Sequence, residues 1–364
     1  MNYNNFHKQL RNNDIAKKIL TRISEFQDEI TIMEFCGGHT HTIFKYGIRD
    51  VLPKNIKMRS GPGCPVCVTS NKDLAKAAVL LENSDVILTT YGDMMKVPGE
   101  LGSLEKLKAN GKDIRIVYST LDALQIAKNN PDKKIIFFGV GFETTAPATA
   151  ASVVLAKEQN IKNYFVSSVL KLTIPVTKAL LTLGEVNVNA VLGPGHVSTI
   201  IGSKDWEIFP NDFKIPCVIS GFEPIDILQS VSMILKQISD GRCEVENEYS
   251  RAVLPNGNPK ALEILFDVFE PSSADWRGFG EIPESGMKIT EKYSEFDADE
   301  VFAPKVNFEE KKTACRCGEV LRGIIEPQEC KIFGNPCTPE NPFGPCMVSS
   351  EGSCAAYFNF RKIA

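Results

Sequence analysis

Apolar and β-branched residues gather in short runs separated by longer amphipathic stretches, and this alternation holds from residue 30 to residue 240. Ile32 to Phe35, Lys57 to Ser60, Val86 to Thr90 and Ile114 to Ser119 are predicted strands. So are Lys134 to Val140, Tyr164 to Val169, Ala190 to Gly193 and Cys217 to Gly221. Between them, Asn71 to Asn83 and Pro147 to Gln159 have the length and spacing of helices. Strands that alternate with helices pair in parallel through crossover connections, so the pattern predicts an α/β fold with parallel sheets.

An internal echo suggests two related α/β domains. Gly61-Pro62-Gly63 recurs as Gly193-Pro194-Gly195, an offset of 132. The same shift lays Val86-Ile87 over Val218-Ile219 and Ile32 to Phe35 over Tyr164 to Ser167, with Cys36 over Ser168 and Cys64 over His196. The expected division is residues 30–120, carrying Cys36 and the Cys64/Cys67 pair, and residues 121–240. Residues 241–310 are turn-rich, with an acidic stretch from Glu291 to Glu300, and from Cys315 onward proline, glycine and cysteine dominate. Such a tail has too few apolar residues for a large core of its own, so a metal centre or docking onto the other domains is expected to order it.

Composition narrows the function classes. With 43% hydrophobic and 24% charged residues and a formal charge of -4, the chain has no basic excess to attract nucleic acid. The first fifteen residues lack the apolar core of a secretory signal, and no uncharged apolar run approaches the roughly 18 residues a membrane span requires. A cytoplasmic protein with no membrane partner is expected. In that reducing compartment, eleven cysteines point to metal binding or redox chemistry rather than structural disulfides.

In an open parallel sheet, ligands bind beyond the carboxyl ends of the strands. Several marked turns fall there. Cys36-Gly37-Gly38-His39 follows the first strand; a thiolate beside imidazoles suits iron or zinc, with a Cys-His nucleophile or a plain turn histidine as alternatives. Cys64 and Cys67 have the spacing of a redox dithiol or half a zinc site, and the helix starting near Ser70, with Asp73 three residues on, would lower a neighbouring thiol's pKa. Gly141-Phe142-Glu143-Thr144-Thr145-Ala146-Pro147 opens a helix, with Thr144 or Thr145 as its cap. Gly193-Pro194-Gly195-His196 and Gly221-Phe222-Glu223-Pro224 complete the set. In the tail, Cys330, Cys337, Cys346 and Cys354 are spaced 7, 9 and 8 apart, matching neither the compact ferredoxin run nor paired zinc knuckles, so iron-sulfur and zinc both stay open. Cys315 and Cys317 are alternative ligands or a second redox pair, Cys217 is read as core, and Cys243 has no assigned role.

Taken together, Glu34 to His41, Gly61 to Cys67, Gly141 to Pro147, Gly193 to Ser198 and Gly344 to Cys354 resemble the HypD family of [NiFe]-hydrogenase maturation proteins, from about Ile30 to the C-terminus. The resemblance implies an assembly scaffold with redox and ligand-transfer chemistry, on which mononuclear iron acquires cyanide and carbon monoxide to form the Fe(CN)2CO group. It implies a HypC-type small chaperone that shares the iron with Cys36, and a HypE-type carrier, working with HypF, that delivers cyanide as a thiocyanate. It further implies two α/β domains and a C-terminal domain holding a [4Fe-4S] cluster. By position the cluster ligands are Cys330, Cys337, Cys346 and Cys354, and residues 1–29 are expected to join 241–364 in that domain. The candidate reactive set is Cys36, Cys64, Cys67, His39, Glu143 and His196. Two rivals remain: an iron-sulfur-dependent protein disulfide reductase, for which Cys36 would be dispensable, and a zinc-stabilised interaction module.

Overall fold

A computed structural model describes residues 11–307 and 313–360, so the part of the expected tail domain formed by residues 1–10 lies outside the described residues. The strands are β1 (Ile30–Glu34), β2 (Ile56–Ser60), β3 (Val86–Thr90), β4 (Ile114–Ile116), β5 (Lys134–Gly141), β6 (Tyr164–Leu170), β7 (Ala190–Pro194), β8 (Cys217–Ser220), β9 (Val245–Asn247), β10 (Phe269–Trp276) and β11 (Gly280–Ile289). All eight predicted strands are present. The fourth is shorter than expected because Ser119 serves as a helix cap, forming with Asp122 a capping box that opens the helix Thr120–Asn129.

β1, β2, β7, β8 and β9 form one sheet in the order β2-β1-β7-β8-β9, and β3 to β6 form a second in the order β4-β3-β5-β6. Every neighbouring pair in both is parallel. Numbered within each sheet, the order begins 2-1-3-4 both times. The α/β class and the pair of parallel sheets agree with the expectation, but sheet membership does not follow the boundary between 30–120 and 121–240. The second unit, β3 to β6, is inserted between β2 and β7 of the first. Nor does the offset of 132 mark a repeat of topology: β1 and β2 are neighbours in one sheet, while their images, β6 and β7, lie in different sheets. Both crossing points run through helical segments, whose glycines, prolines and caps mark local turns and not a change of sheet.

The central strands are apolar on both faces, as parallel strands covered by helices are; Ile135, Ile136, Phe137 and Phe138 of β5 are all fully buried. The helix α1 (Asn13–Ser24) buries Ile19 and Ile23 against Ile32 of β1 and Ile227, Val231 and Ile234, in the first sheet's own core. It therefore packs with the first α/β unit rather than with the tail. The hairpin β10-β11 is also spread over the α/β units, with β-bridges from Trp276 to Thr69 and from Gly286 to Lys171. The cysteine-rich tail is built largely of turns. Its Cys346, Met347, Cys354 and Ala355 join the same apolar cluster as Met33, Phe35 and Val191, so docking supplies the core that its composition withholds. Among the described residues, no helix is long and apolar enough to cross a membrane.

Candidate functional site

In the first sheet the strand order reverses between β1 and β7, so the segments leaving those strands diverge and open a crevice. Cys36 stands at its edge as the N-cap of α2 (Gly37–Lys45), and His196 projects from the first turn of the helix Gly195–Ile201 that follows β7. The Cys36 Sγ lies 4.0 Å from His196 Nδ1. Glycine is required here by crowding. The Gly37 N–H donates to the Gly63 carbonyl at 3.0 Å. A Cβ on Gly63 would lie 2.3 Å from the Cys36 nitrogen, and one on Gly37 would lie 2.4 Å from the Glu351 Cβ. Three backbone segments thus meet at Cys36: the end of β1, the Gly61 to Cys64 turn, and the tail loop carrying Glu351.

Electrostatics set the thiol's resting state. Burial, then the carboxylates of Glu351 and Glu34, push the Cys36 thiol up, while the N–H groups of Gly38 and His39 at the helix start favour its thiolate. The chain alone keeps a protonated thiol there; a bound cation supplies the missing positive charge and deprotonates such a ligand. Glu34 accepts from the Cys36 N–H at 2.9 Å and from the Thr40 hydroxyl, and burial raises its pKa to about 7. His39 is fully buried, and burial lowers its pKa to about 4. Its neutral ring donates from Nε2 to the Ser220 carbonyl at 3.2 Å, since a carbonyl only accepts. Phe222 stacks on both imidazoles, with centroids 4.7 Å from His39 and 3.7 Å from His196. His39 is thus a neutral strut, and His196 is the imidazole facing Cys36.

The second group of thiols begins on the neighbouring turn. Cys64 caps α3 (Pro65–Val68), accepting from the Cys67 N–H at 3.3 Å. The expected cap at Ser70, boxed with Asp73, starts the next helix, α4 (Asn71–Leu80), so the dipole nearest the pair belongs to α3. Cys67 reaches the tail: its thiol donates to the Pro345 carbonyl at 3.8 Å and lies close to Cys346 and Cys64. Cys346 in turn is joined to Cys317 and Cys354, and Cys317 to Cys315. Cys315, Cys354 and Cys330 are all close enough to Cys337 for their charge to act on it. The sequence left Cys315 and Cys317 without a firm place; here they continue the line of thiols. Their spacing of two in an otherwise turn-rich tail was the available signal. Glu34 and Glu351 were within recognised motifs but carry no chemical label in the sequence.

Glu143 belongs elsewhere. Its oxygens accept from the Thr173 N–H at 2.7 Å and the Thr173 hydroxyl at 2.8 Å, at the start of the helix α5 (Thr173–Leu183). It caps a helix of the second unit, with burial raising its pKa to about 7.

Among the described residues, no three His, Cys, Asp or Glu side chains are gathered as a single metal ion requires. One ion draws its sulfurs to about 2.3 Å from a point. An iron-sulfur cluster instead gives each of its irons one cysteine and spreads them apart. The buried thiols Cys330, Cys337, Cys346 and Cys354 suit the second arrangement by donor chemistry: Cys330 and Cys354 act by charge on Cys337, and Cys346 lies beside Cys354. On the side of Cys315 and Cys317, Arg277 Nη2 is buried without a hydrogen-bond partner among the described residues, and Arg277 is near enough to act electrostatically on both thiols.

A family profile described as HypD, hydrogenase formation hypA family, matches residues 12–361. A hydrogenase maturation factor HypD2 of Bradyrhizobium diazoefficiens is 47% identical over 338 residues, 91% of this chain and 89% of its own length. The hydrogenase maturation factor HypD of Azotobacter vinelandii is 44% identical, covering 97% of this chain and 96% of its own. That of Escherichia coli is 43% identical, covering 92% and 90%.

Proposed function

The chain belongs to the HypD family of hydrogenase maturation factors, and from that premise we propose that it is the scaffold on which the iron of the [NiFe] centre receives its diatomic ligands. The observation that carries this reading is the placement of Cys36 at the switch point of the first sheet, facing His196. Iron is the substrate, held through the Cys36 thiolate and completed by a ligand from a HypC-type chaperone. A soft thiolate suits ferrous iron, and a site closed on three sides by backbone leaves one open face for a partner. A HypE-type carrier, charged with HypF, presents cyanide as a thiocyanate. Two electrons and two protons from the Cys64 and Cys67 thiols convert that thiocyanate to a free thiol and hydrogen cyanide, and leave a Cys64–Cys67 disulfide.

Restoring that dithiol requires electrons, and a low-potential iron-sulfur cluster supplies them when bound. Cys330, Cys337, Cys346 and Cys354 would hold it: Cys330 and Cys354 are close enough for their charge to act on Cys337, and Cys346 lies beside Cys354. Cys346, beside Cys354, also borders Cys67 and Cys317, which puts the cluster next to the dithiol it would recharge. The proposed compartment is the cytoplasm, whose reducing poise keeps the eleven cysteines unpaired.

The test is infrared spectroscopy of the chain purified without oxygen together with its chaperone. Bands from metal-bound cyanide and carbonyl are expected in the wild type and absent from Cys36→Ala. Full iron loading in Cys36→Ala would rule out the scaffold assignment and favour the disulfide reductase. Iron and sulfide content across single cysteine variants tests the cluster set: Cys346→Ala should lose the cluster and Cys315→Ala keep it, and the reverse would put Cys315 in place of Cys346.

A further inference from the structure

Phe222, in the loop that leaves β8, spans the two lips of the crevice at Cys36. On the side of β1, a Cβ on Gly38 would lie 3.0 Å from the Phe222 ring, and the Thr42 hydroxyl donates to the Phe222 carbonyl at 2.9 Å. On the side of β7, a Cβ on Gly195 would lie 3.1 Å from the other edge of the same ring, so a glycine on each lip makes room for it. The ring lies 26° from the plane of His39 and 18° from that of His196, and at centroid distances of 4.7 and 3.7 Å two imidazoles cannot share one face. Phe222 therefore sits between them. The inner end of this stack is anchored, because His39 is fully buried with its Nε2 on the Ser220 carbonyl. The outer end is not: His196 is exposed, and among the described residues its ring nitrogens meet only the Cys36 sulfur, 4.0 Å from Nδ1. One long polar contact leaves an imidazole free to turn about its side-chain bonds, and the face of Phe222 is what holds it.

We propose that Phe222 is a positioning residue for the iron site, clamping the His196 imidazole onto the anchored His39 so that Nδ1 stays beside the Cys36 sulfur when iron is bound. The inference rests on the scaffold reading given above, with iron as the substrate. A metal-bound thiolate carries no proton and only accepts, so its contact with His196 is an N–H donation. That donation draws charge from the sulfur and through it from the iron. Loss of the clamp returns the charge to the iron, which back-donates more strongly to a carbonyl ligand and lowers its stretching frequency. Tyr249 meets Phe222 edge-on, 5.9 Å between centroids, and supports the clamping ring from a third side.

The test is infrared spectroscopy of the full chain, purified without oxygen together with its chaperone, for the wild type, Phe222→Leu, Phe222→Tyr, His196→Ala and the double variant Phe222→Leu/His196→Ala at equal iron content. Phe222→Leu should move the carbonyl band to lower frequency and broaden it, and Phe222→Tyr, which keeps the ring, should return it to the wild-type position. Because Phe222 acts through His196, His196→Ala should give the same displacement and the double variant no more. A wild-type band in Phe222→Leu, no return in Phe222→Tyr, or displacements that add in the double variant overturn the clamp and leave the scaffold reading intact. A wild type without bands from metal-bound cyanide and carbonyl overturns both. Should Phe222→Leu fail to fold, nuclear magnetic resonance of the wild-type complex labelled with carbon-13 histidine decides, the His196 signal among the four histidines being the one lost in His196→Ala. A signal displaced upfield by the Phe222 ring current that also moves on iron loading supports the clamp. A signal that iron leaves in place, or one without the ring-current displacement, refutes it.

Discussion

Glu143 is a buried carboxyl held by the Thr173 N–H and hydroxyl, and its consequence is a pH dependence of stability. Burial raises its pKa from 4.5 to about 7. Between those values the folded chain holds a proton that the unfolded chain has released. The folded state therefore binds more protons, and stability falls as pH rises through that window. Glu34, raised to about 7 by the same cause, adds to the effect with the same sign. One pKa unit is worth about 1.4 kcal/mol, so each carboxyl accounts for a few kcal/mol at most. Glu143→Gln removes its own titration from the sum. Its urea midpoint should fall less than that of the wild type between about pH 5 and about pH 7.5; an equal fall would mean that Glu143 is charged throughout.

Among the elements, strand positions were legible because central parallel strands are apolar on both faces and end at small residues; Val86–Thr90 was read at its observed bounds. The helix α4 was legible at its start from Ser70 and Asp73, whose side chains both bond the backbone in a capping box. The echo at offset 132 misled because Gly-Pro-Gly answers a local demand: Gly63 is pressed on Cys36 and Gly195 on the Ser220 carbonyl, two separate crowded strand ends that need glycine independently. Strand neighbours set the topology, and no residue type encodes which distant strand will pair. Helix α4 offers a check confined to one element. Ser70→Ala deletes the acceptor for the Asp73 N–H at 3.0 Å and should cost about 1 kcal/mol in urea unfolding. Iron and sulfide content should not change, since the Cys64 and Cys67 thiols sit at the start of α3. A loss of iron would instead make the start of α4 part of the thiol site.

For the molecule as a whole, the insertion of one α/β unit into the other and the docking of the tail onto both bring Cys36, the Cys64 and Cys67 pair and the tail thiols together. Tail cysteines could be recognised as a metal-type set from composition, but their meeting with Cys67 depends on contacts across more than 270 residues of sequence. Part of that docking is electrostatic. Glu326 of the tail receives Arg49 through two hydrogen bonds, 2.9 and 2.8 Å long, and Arg59 of β2 on the same carboxylate. Both arginines belong to the first α/β unit, and the carboxylate is only 13% exposed, so this cluster is screened less than a surface pair. Removing the carboxylate leaves two guanidinium groups facing each other without their shared anion, at a cost of roughly 1–3 kcal/mol. Glu326→Ala should therefore loosen the tail while the sheets stay folded: faster cleavage between residues 313 and 360 by a protease under native conditions, iron lost at lower chelator concentration, and far-ultraviolet circular dichroism close to that of the wild type. If cleavage and iron retention match the wild type, the apolar packing of Cys346, Met347 and Ala355 against the α/β core carries the docking by itself.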